Sequence, residues 1–375
     1  MRRMTQAATA VAAASLLVLS ACGSGRNADT STSSGAAGTS GAAAAGSFAA
    51  GSTIGVALPA KTSENWVLAG QLFSDGLTAA GFVPDVQYAA ASGTVADQQA
   101  QIQTMVTKGA KVIIIGAEDG SQLTTQVAAA KAAGATVIAY DRLILNTPDV
   151  DYYVAFDNEK VGELQGQALL DGMKAKKPTG PYTIELFGGS AGDANAPVFF
   201  KGAMNILQPA IDSGDVVVGS GQVDFQQVAT DGWKAENAQR RMDNLLTSTY
   251  SAATPVLDGV LSPNDTLARA IITAVQGAGK DVPIVTGQDS EVESVKSIMA
   301  GIQYSTINKD TRKLVAAAIG MVTDLSTGKT PTADNQDYNN GVKVVPAQLL
   351  DPIIVTKDNA AEEYANNPTL EPLTK

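Results

Sequence analysis

The chain of 375 residues is 45% hydrophobic and 17% charged, enough apolar mass for two packed domains. Its 26 basic and 37 acidic side chains give a formal charge of −11, which repels phosphate backbones and anionic headgroups and excludes nucleic acid as a partner. Histidine is absent and the single cysteine is Cys22, so Cys/His zinc sites, Ser/His/Asp triads, Cys/His dyads and any disulfide within the chain are excluded too.

Met1-Arg2-Arg3 and the apolar run from Ala7 to Leu19 predict a signal peptide over 1–21, too short for a permanent membrane helix. The run ends in Leu19-Ser20-Ala21-Cys22, which resembles a bacterial lipobox whose thiol accepts diacylglycerol; the alternative is a chance cysteine behind an ordinary signal sequence. Two or three acyl chains at Cys22 suffice for stable anchoring to the membrane. Residues 22–51 are nearly all Gly, Ala, Ser and Thr, a composition that cannot offset its chain entropy by burial and reads as a flexible tether. Such a tether spans roughly 30 Å.

Beyond Gly51 short β-rich runs alternate with helical segments: Ile54–Leu58, Asn65–Ala80, Val83–Ala89, Val95–Lys108, Val112–Ile115, Ser121–Gly134 and Thr136–Tyr140. A second series follows in Tyr152–Phe156, Asn158–Lys174, Tyr182–Phe187, Ala194–Asp212, Val216–Gly219, Glu236–Thr247, Val256–Leu261, Thr266–Gly277, Ile284–Thr286, Glu291–Ala300 and Gln303–Ile307. Strands joined by helices predict an α/β fold of two doubly wound parallel-sheet lobes with right-handed crossovers. In such sheets ligands sit beyond the carboxyl ends of the strands, so the residues after each strand carry the functional weight.

Those positions are rich in polar groups: Lys61 and Trp66 after the first strand, Glu118 and Asp119 after the third, Asp141 and Arg142 after the fourth. The second series offers Gly188-Gly189-Ser190, Asp193 and Asn195, then Asn264-Asp265, Gln288-Asp289 and Lys309. A sugar presents hydroxyls around its edge and C–H groups on its two faces, so it is gripped by planar polar forks and aromatic plates. Asp, Asn, Arg and Lys supply the forks; the only two tryptophans, Trp66 and Trp233, supply the plates. Each residue also has a plainer reading. The tryptophans suit packing with the N–H satisfied, Asp141-Arg142 a surface ion pair, and Asp193, Asn195 and Asn264 helix capping, which is compatible with ligand binding. Glu118 and Asp119 read as turn residues. Gly188-Gly189-Ser190 lacks both phosphate-loop spacings and reads as a tight turn needing positive φ. Asp334-Asn335-Gln336-Asp337 lacks the calcium-loop rhythm, so no metal and no cofactor is expected.

Taken together, Val112–Gly116, Ala139–Ile144, Phe156–Gly162, Glu185–Ser190, Gly287–Asp289 and Asn340–Pro346 resemble the xylose-binding and multiple-monosaccharide-binding branch of the periplasmic sugar-binding proteins that serve ABC transporters. The resemblance runs from about Thr53 to Thr356. It implies the type I periplasmic binding protein fold, with lobes of 52–157 plus 309–343 and 158–308 plus 344–375 joined by a multi-segment hinge near Asp157, Asn308-Lys309 and Lys343. Family ligand positions carry over to Trp66, Asp141, Arg142, Asp193, Asn195, Trp233, Asn264, Asp289 and Lys309. Before Trp66 relatives commonly carry an arginine where this chain has Asn65, and the nearby Lys61 is a candidate to replace that donor.

The resemblance further implies a monomer that binds a free aldopentose or aldohexose and delivers it to an ABC transporter permease and ATPase. A sugar-sensing partner of a membrane receptor or kinase uses the same site. The rival class is a secreted enzyme hydrolysing sugars with Asp141 and Asp289; their neighbours Arg142 and Lys309 argue against it, since cations keep carboxylates ionised as acceptors.

Overall fold

The computed structural model describes residues 47–61, 63–90, 95–253 and 255–375. Cys22, the signal peptide and most of the tether lie outside the described residues.

The elements in chain order are β1 (Thr53–Leu58), α1 (Glu64–Ala79), β2 (Val83–Tyr88), α2 (Val95–Thr107), β3 (Val112–Ile115), α3 (Thr124–Ala132), β4 (Thr136–Tyr140) and β5 (Tyr152–Phe156). They continue with α4 (Asn158–Lys176), β6 (Tyr182–Leu186), α5 (Ala196–Asp212), β7 (Val216–Val218), α6 (Phe225–Val228), α7 (Ala235–Ser248), β8 (Gly259–Leu261), α8 (Asp265–Gly277) and β9 (Ile284–Val285). The chain ends through α9 (Val292–Met299), β10 (Ser305–Asn308), α10 (Thr311–Ser326), β11 (Ala347–Leu350), β12 (Ile353–Thr356) and α11 (Ala360–Glu363).

Two parallel sheets result, ordered β11-β5-β4-β3-β1-β2 and β7-β6-β8-β9. Each is covered on both faces because strand side chains alternate. In the first sheet Ile54, Val56, Ile114, Ile138 and Val154 pack with α1 and α10, while Ala57, Ile113, Ile115, Val137 and Tyr153 pack with α2 and α3. In the second sheet Ile184, Leu186 and Leu261 face α4 and α5, and Val260 and Val285 face α7 and α8. Chain direction switches between β1 and β3 in one sheet and between β6 and β8 in the other, the places where open α/β sheets leave a crevice for a ligand.

Two boundaries differ from expectation. Phe48 belongs to the body rather than the tether: its ring stacks on Phe82 with centroids 5.8 Å apart, and its N–H donates to the Ser326 carbonyl at 3.2 Å. The first sheet also takes in a strand after Lys343, where the resemblance ended the first lobe. The open edge of β5 presents unpaired backbone groups, and β11 satisfies them in parallel register from Ala347 opposite Tyr153 to Leu350 opposite Phe156. After Asp351-Pro352 the chain leaves, and β12 pairs antiparallel with β10. Ala347–Leu350 therefore extends the first sheet.

Candidate functional site

The carboxyl ends of the two sheets face one another across a cavity of about 70 Å³. One buried water occupies roughly 10–15 Å³ on this measure, so the space admits a handful of hydroxyl-sized groups, one sugar ring rather than a chain of them. Its wall includes Asn65, Trp66, Asp141, Arg142, Asp193, Asn195, Trp233, Asn264, Asp289 and Lys309. Of the expected ligand residues, Lys61 stands apart: it is exposed, with its ammonium 4.4 Å from the centre of the Tyr88 ring, and Glu118 and Asp119 also stay off the wall.

Trp66 enters from the first turn of α1 and is 9% exposed, packed edge-on against Tyr140. The Arg142 guanidinium lies 5.2 Å from its ring centre, a cation–π placement that fixes the guanidinium plane. Arg142 also donates through Nη1 to the Ala117 carbonyl at 3.0 Å, and its Nε lies 2.9 Å from Asp193 Oδ2. The contact is an ion pair; the hydrogen bonds Asp193 accepts come from the Asn195 backbone N–H at 2.9 Å and the Trp233 indole N–H at 3.1 Å. One carboxylate thus ties a residue after β4 to the indole of the opposite wall. This is no exposed surface pair, since the Asp193 side chain is 4% exposed.

Asn195 offers no side-chain cap to α5. Its Nδ2 donates to the Asp141 carbonyl at 2.8 Å, and its Oδ1 lies 3.2 Å from the Tyr153 hydroxyl. Asn264 does cap α8, accepting the Leu267 N–H at 2.9 Å, and its Nδ2 makes no hydrogen bond among the described residues, so capping and lining coexist. Asn65 donates to the Asp289 carbonyl at 3.2 Å, and Glu64 accepts the Val292 N–H at 2.9 Å. The α1 amino terminus therefore bonds directly to the turn after β9. Asp289 Oδ1 lies 3.1 Å from Lys309 Nζ, and Lys309 sits 5.5 Å from the Phe199 ring centre.

Asp141 and Asp289 occupy corresponding places after the last helix-connected strand of each series, and both have left-handed backbone, φ 62° and 97°. Each such residue costs on the order of 1–3 kcal/mol, a strain that gathers where geometry serves a site. Burial pushes the Asp141 carboxyl above its ordinary value against the pull of Lys309 and Arg142, with Asp193 and Asp289 adding to the rise. This corrects the expectation that its cationic neighbours dominate: desolvation of the half-buried carboxyl outweighs them. Burial works to lower Lys309, but Asp289 and Asp141 outweigh it and hold its ammonium above the usual lysine value.

The Gly188-Gly189 pair has no positive φ, contrary to expectation. Close approach is the reason for glycine at 189: a Cβ there would run into the Trp233 ring. Trp233 itself is held at φ 56° in the short turn Asp231–Trp233. Sequence reasoning missed Tyr140, Phe156, Phe199, Thr266, Thr311 and Leu314 in the wall, which sit inside elements rather than after strands, while Gln288 was marked only as a polar group after a strand.

Comparison with known proteins bears on this arrangement. A model of the family described as periplasmic binding protein domain matches residues 54–330. A multiple sugar-binding periplasmic receptor of Rhizobium radiobacter is 49% identical over 313 residues, covering 82% of this chain and 87% of that protein. The D-xylose-binding periplasmic protein of Escherichia coli (strain K12) is 38% identical over 308 residues, covering 82% and 87%. The solved structure of an ABC transporter solute binding protein from Clostridium phytofermentans with bound β-D-glucose is 38% identical, with a TM-score of 0.81 over 86% of this chain and 100% of that one.

Proposed function

The chain belongs to the periplasmic binding protein family, and from that premise we propose that it holds one free monosaccharide, an aldopentose or aldohexose such as xylose, glucose, galactose or arabinose, and hands it to an ABC transporter. It is an extracytoplasmic sugar-binding protein and not an enzyme, as its receptor and binding-protein relatives are.

One observation carries the choice of ligand: two ion pairs, Arg142–Asp193 and Lys309–Asp289, meet aromatic rings of Trp66, Phe199 and Trp233 around a space the size of one sugar ring. Carboxylates accept from hydroxyls, the cations and the Asn264 amide donate to them, and the rings cover C–H faces. Closure follows from the same contacts. We assign one lobe to 52–157 plus 309–350 and the other to 158–308 plus 351–375, hinged at Asp157, Lys309 and Asp351-Pro352. The bonds from Asn65 to the Asp289 carbonyl and from Asn195 to the Asp141 carbonyl bind the lobes shut. A sugar bridging both walls favours that form by its differential affinity for it.

In this reading the protein is a monomer whose Cys22, lipidated after cleavage, tethers it to the membrane beside the permease and ATPase. No described helix is long and apolar enough to cross a membrane. Isothermal titration of the purified protein with D-glucose, D-xylose, D-galactose and L-arabinose tests the ligand class: saturable heat at one site per chain is expected, and no heat with any of them refutes it.

A further inference from the structure

The turn that carries Asp289 passes through two consecutive non-glycine residues with left-handed backbone, Asp289 at φ 97° and Ser290 at φ 53°. Such a turn persists only where its surroundings over-determine it. Those surroundings converge on a residue outside the cavity wall.

Asp265, the first residue of α8, is fully buried. Its carboxylate lies under the turn. Oδ2 accepts the Glu291 backbone N–H at 3.0 Å and the Thr306 hydroxyl at 2.9 Å, and Oδ1 accepts Gln303 Nε2 at 2.8 Å. The Thr306 hydroxyl oxygen in turn accepts the Ser290 N–H at 3.2 Å. Both amides that follow Asp289 are thereby tied to one carboxylate, one directly and one through a hydroxyl. Glycine at 287 is what lets that carboxylate come so close, since a Cβ there would collide with Asp265 Oδ1. Other ties reach different atoms: the Asp289 N–H donates to the Ile307 carbonyl at 2.9 Å, the Tyr364 hydroxyl to Ser290 Oγ at 2.7 Å, Asn65 to the Asp289 carbonyl at 3.2 Å and the Asp265 N–H to the Gln288 carbonyl at 3.0 Å. None of them holds the amides after Asp289.

We propose that Asp265 is the positioning residue that sets the sugar-contacting geometry of Asp289, acting through the turn without touching the sugar. The inference rests on the monosaccharide reading above. Alanine removes both acceptor oxygens at once, and the three donors they serve come from Glu291 in the turn and from Gln303 and Thr306 after it. Asp265→Asn keeps the side-chain size and leaves one oxygen to accept from Glu291 and Thr306, so it is the conservative replacement. Gln303 Oε1 is buried with no hydrogen-bond partner among the described residues, and by turning its amide Gln303 accepts the new N–H.

The test is a double-mutant cycle by calorimetry with D-glucose and D-xylose on the wild type, Asp265→Ala, Asp289→Ala and the double variant. Asp265→Ala is expected to weaken binding about tenfold in the wild-type background and less than about threefold once Asp289 is already alanine. Asp265→Asn is expected to recover most of the loss. Should Asp265→Ala fail to fold, Thr306→Val removes the hydroxyl link alone and enters the same cycle with the same expected coupling. Additive losses, or an equal loss in Asp265→Asn, overturn the positioning role while the sugar reading stands. A wild type that binds no sugar overturns that reading and this one with it.

Discussion

Asp193→Asn isolates the contact on which the closed cavity depends. The substitution keeps side-chain size but removes the charge paired with Arg142, whose Nε lies 2.9 Å away, and leaves one acceptor oxygen for two donors, the Trp233 indole at 3.1 Å and the Asn195 N–H at 2.9 Å. With the amide oxygen toward Arg142 and Trp233, the new NH₂ faces the Asn195 N–H, donor against donor. A hydrogen bond to a charged group contributes about 1.5–3 kcal/mol, and removing one partner of a buried pair costs about 3–5 kcal/mol. Arg142 opens onto the cavity with 11% of its side chain exposed, so water and sugar hydroxyls offset part of the larger figure. A loss of about 2–3 kcal/mol remains, roughly a 30- to 150-fold rise in Kd. Titration calorimetry with the best-bound sugar measures it, and circular dichroism of the unliganded variant checks that the fold is retained. A Kd within about threefold of wild type, with the fold intact, would refute the claim that this carboxylate joins the two walls.

Trp233→Phe keeps an aromatic plate and removes only the donor to Asp193, so calorimetry should show an affinity loss of about 1 kcal/mol, roughly fivefold; no loss would mean the indole N–H is incidental. Gly189→Ala forces a methyl into the Trp233 ring, and overpacking of this kind costs about 1–3 kcal/mol; both Tm and sugar affinity should fall, and an unchanged Tm would show that the ring has room to move. The pH dependence follows from Asp141, whose carboxyl is raised above its ordinary 3.8 chiefly by burial. A raised folded value means the fold takes up this proton before the unfolded chain does, so through this group acidification favours the unliganded fold while it removes a sugar acceptor. Affinity should therefore begin to fall at a pH above 3.8 and the fall should vanish in Asp141→Asn; an affinity flat down to 3.8 counts against an ionised Asp141 in the complex.

The alternation of Val/Ile-rich runs with helical segments was enough to place β1 through β5 within a residue or so and to identify two parallel sheets, because period-two burial on both faces leaves continuous apolar strands. Polar residues after those strands were legible for the same reason, and the expected ligand residues except Lys61 reach the cavity, while Glu118 and Asp119 do not line it. Helix α10 was readable but unassigned: Leu314, Val315, Ala318, Met321, Val322 and Leu325 repeat at helical spacing. Strand β11 was not, since Ala347–Leu350 acquires its role only from the open edge of β5, far away in sequence. The left-handed backbone of Asp141, Trp233 and Asp289 left no trace in residue type, because it is imposed by long-range bonds rather than by local preference.

By itself the sequence determined the fold class and the chemical types gathered at the cleft, since both follow from local pattern and composition. Only the tertiary structure decided which groups meet. That Asp193 receives Arg142 and Trp233, that burial outweighs cations at Asp141, and that Asp265 stands behind Asp289 all depend on distances between segments dozens of residues apart, and hydrogen bonds and desolvation act through space rather than along the chain.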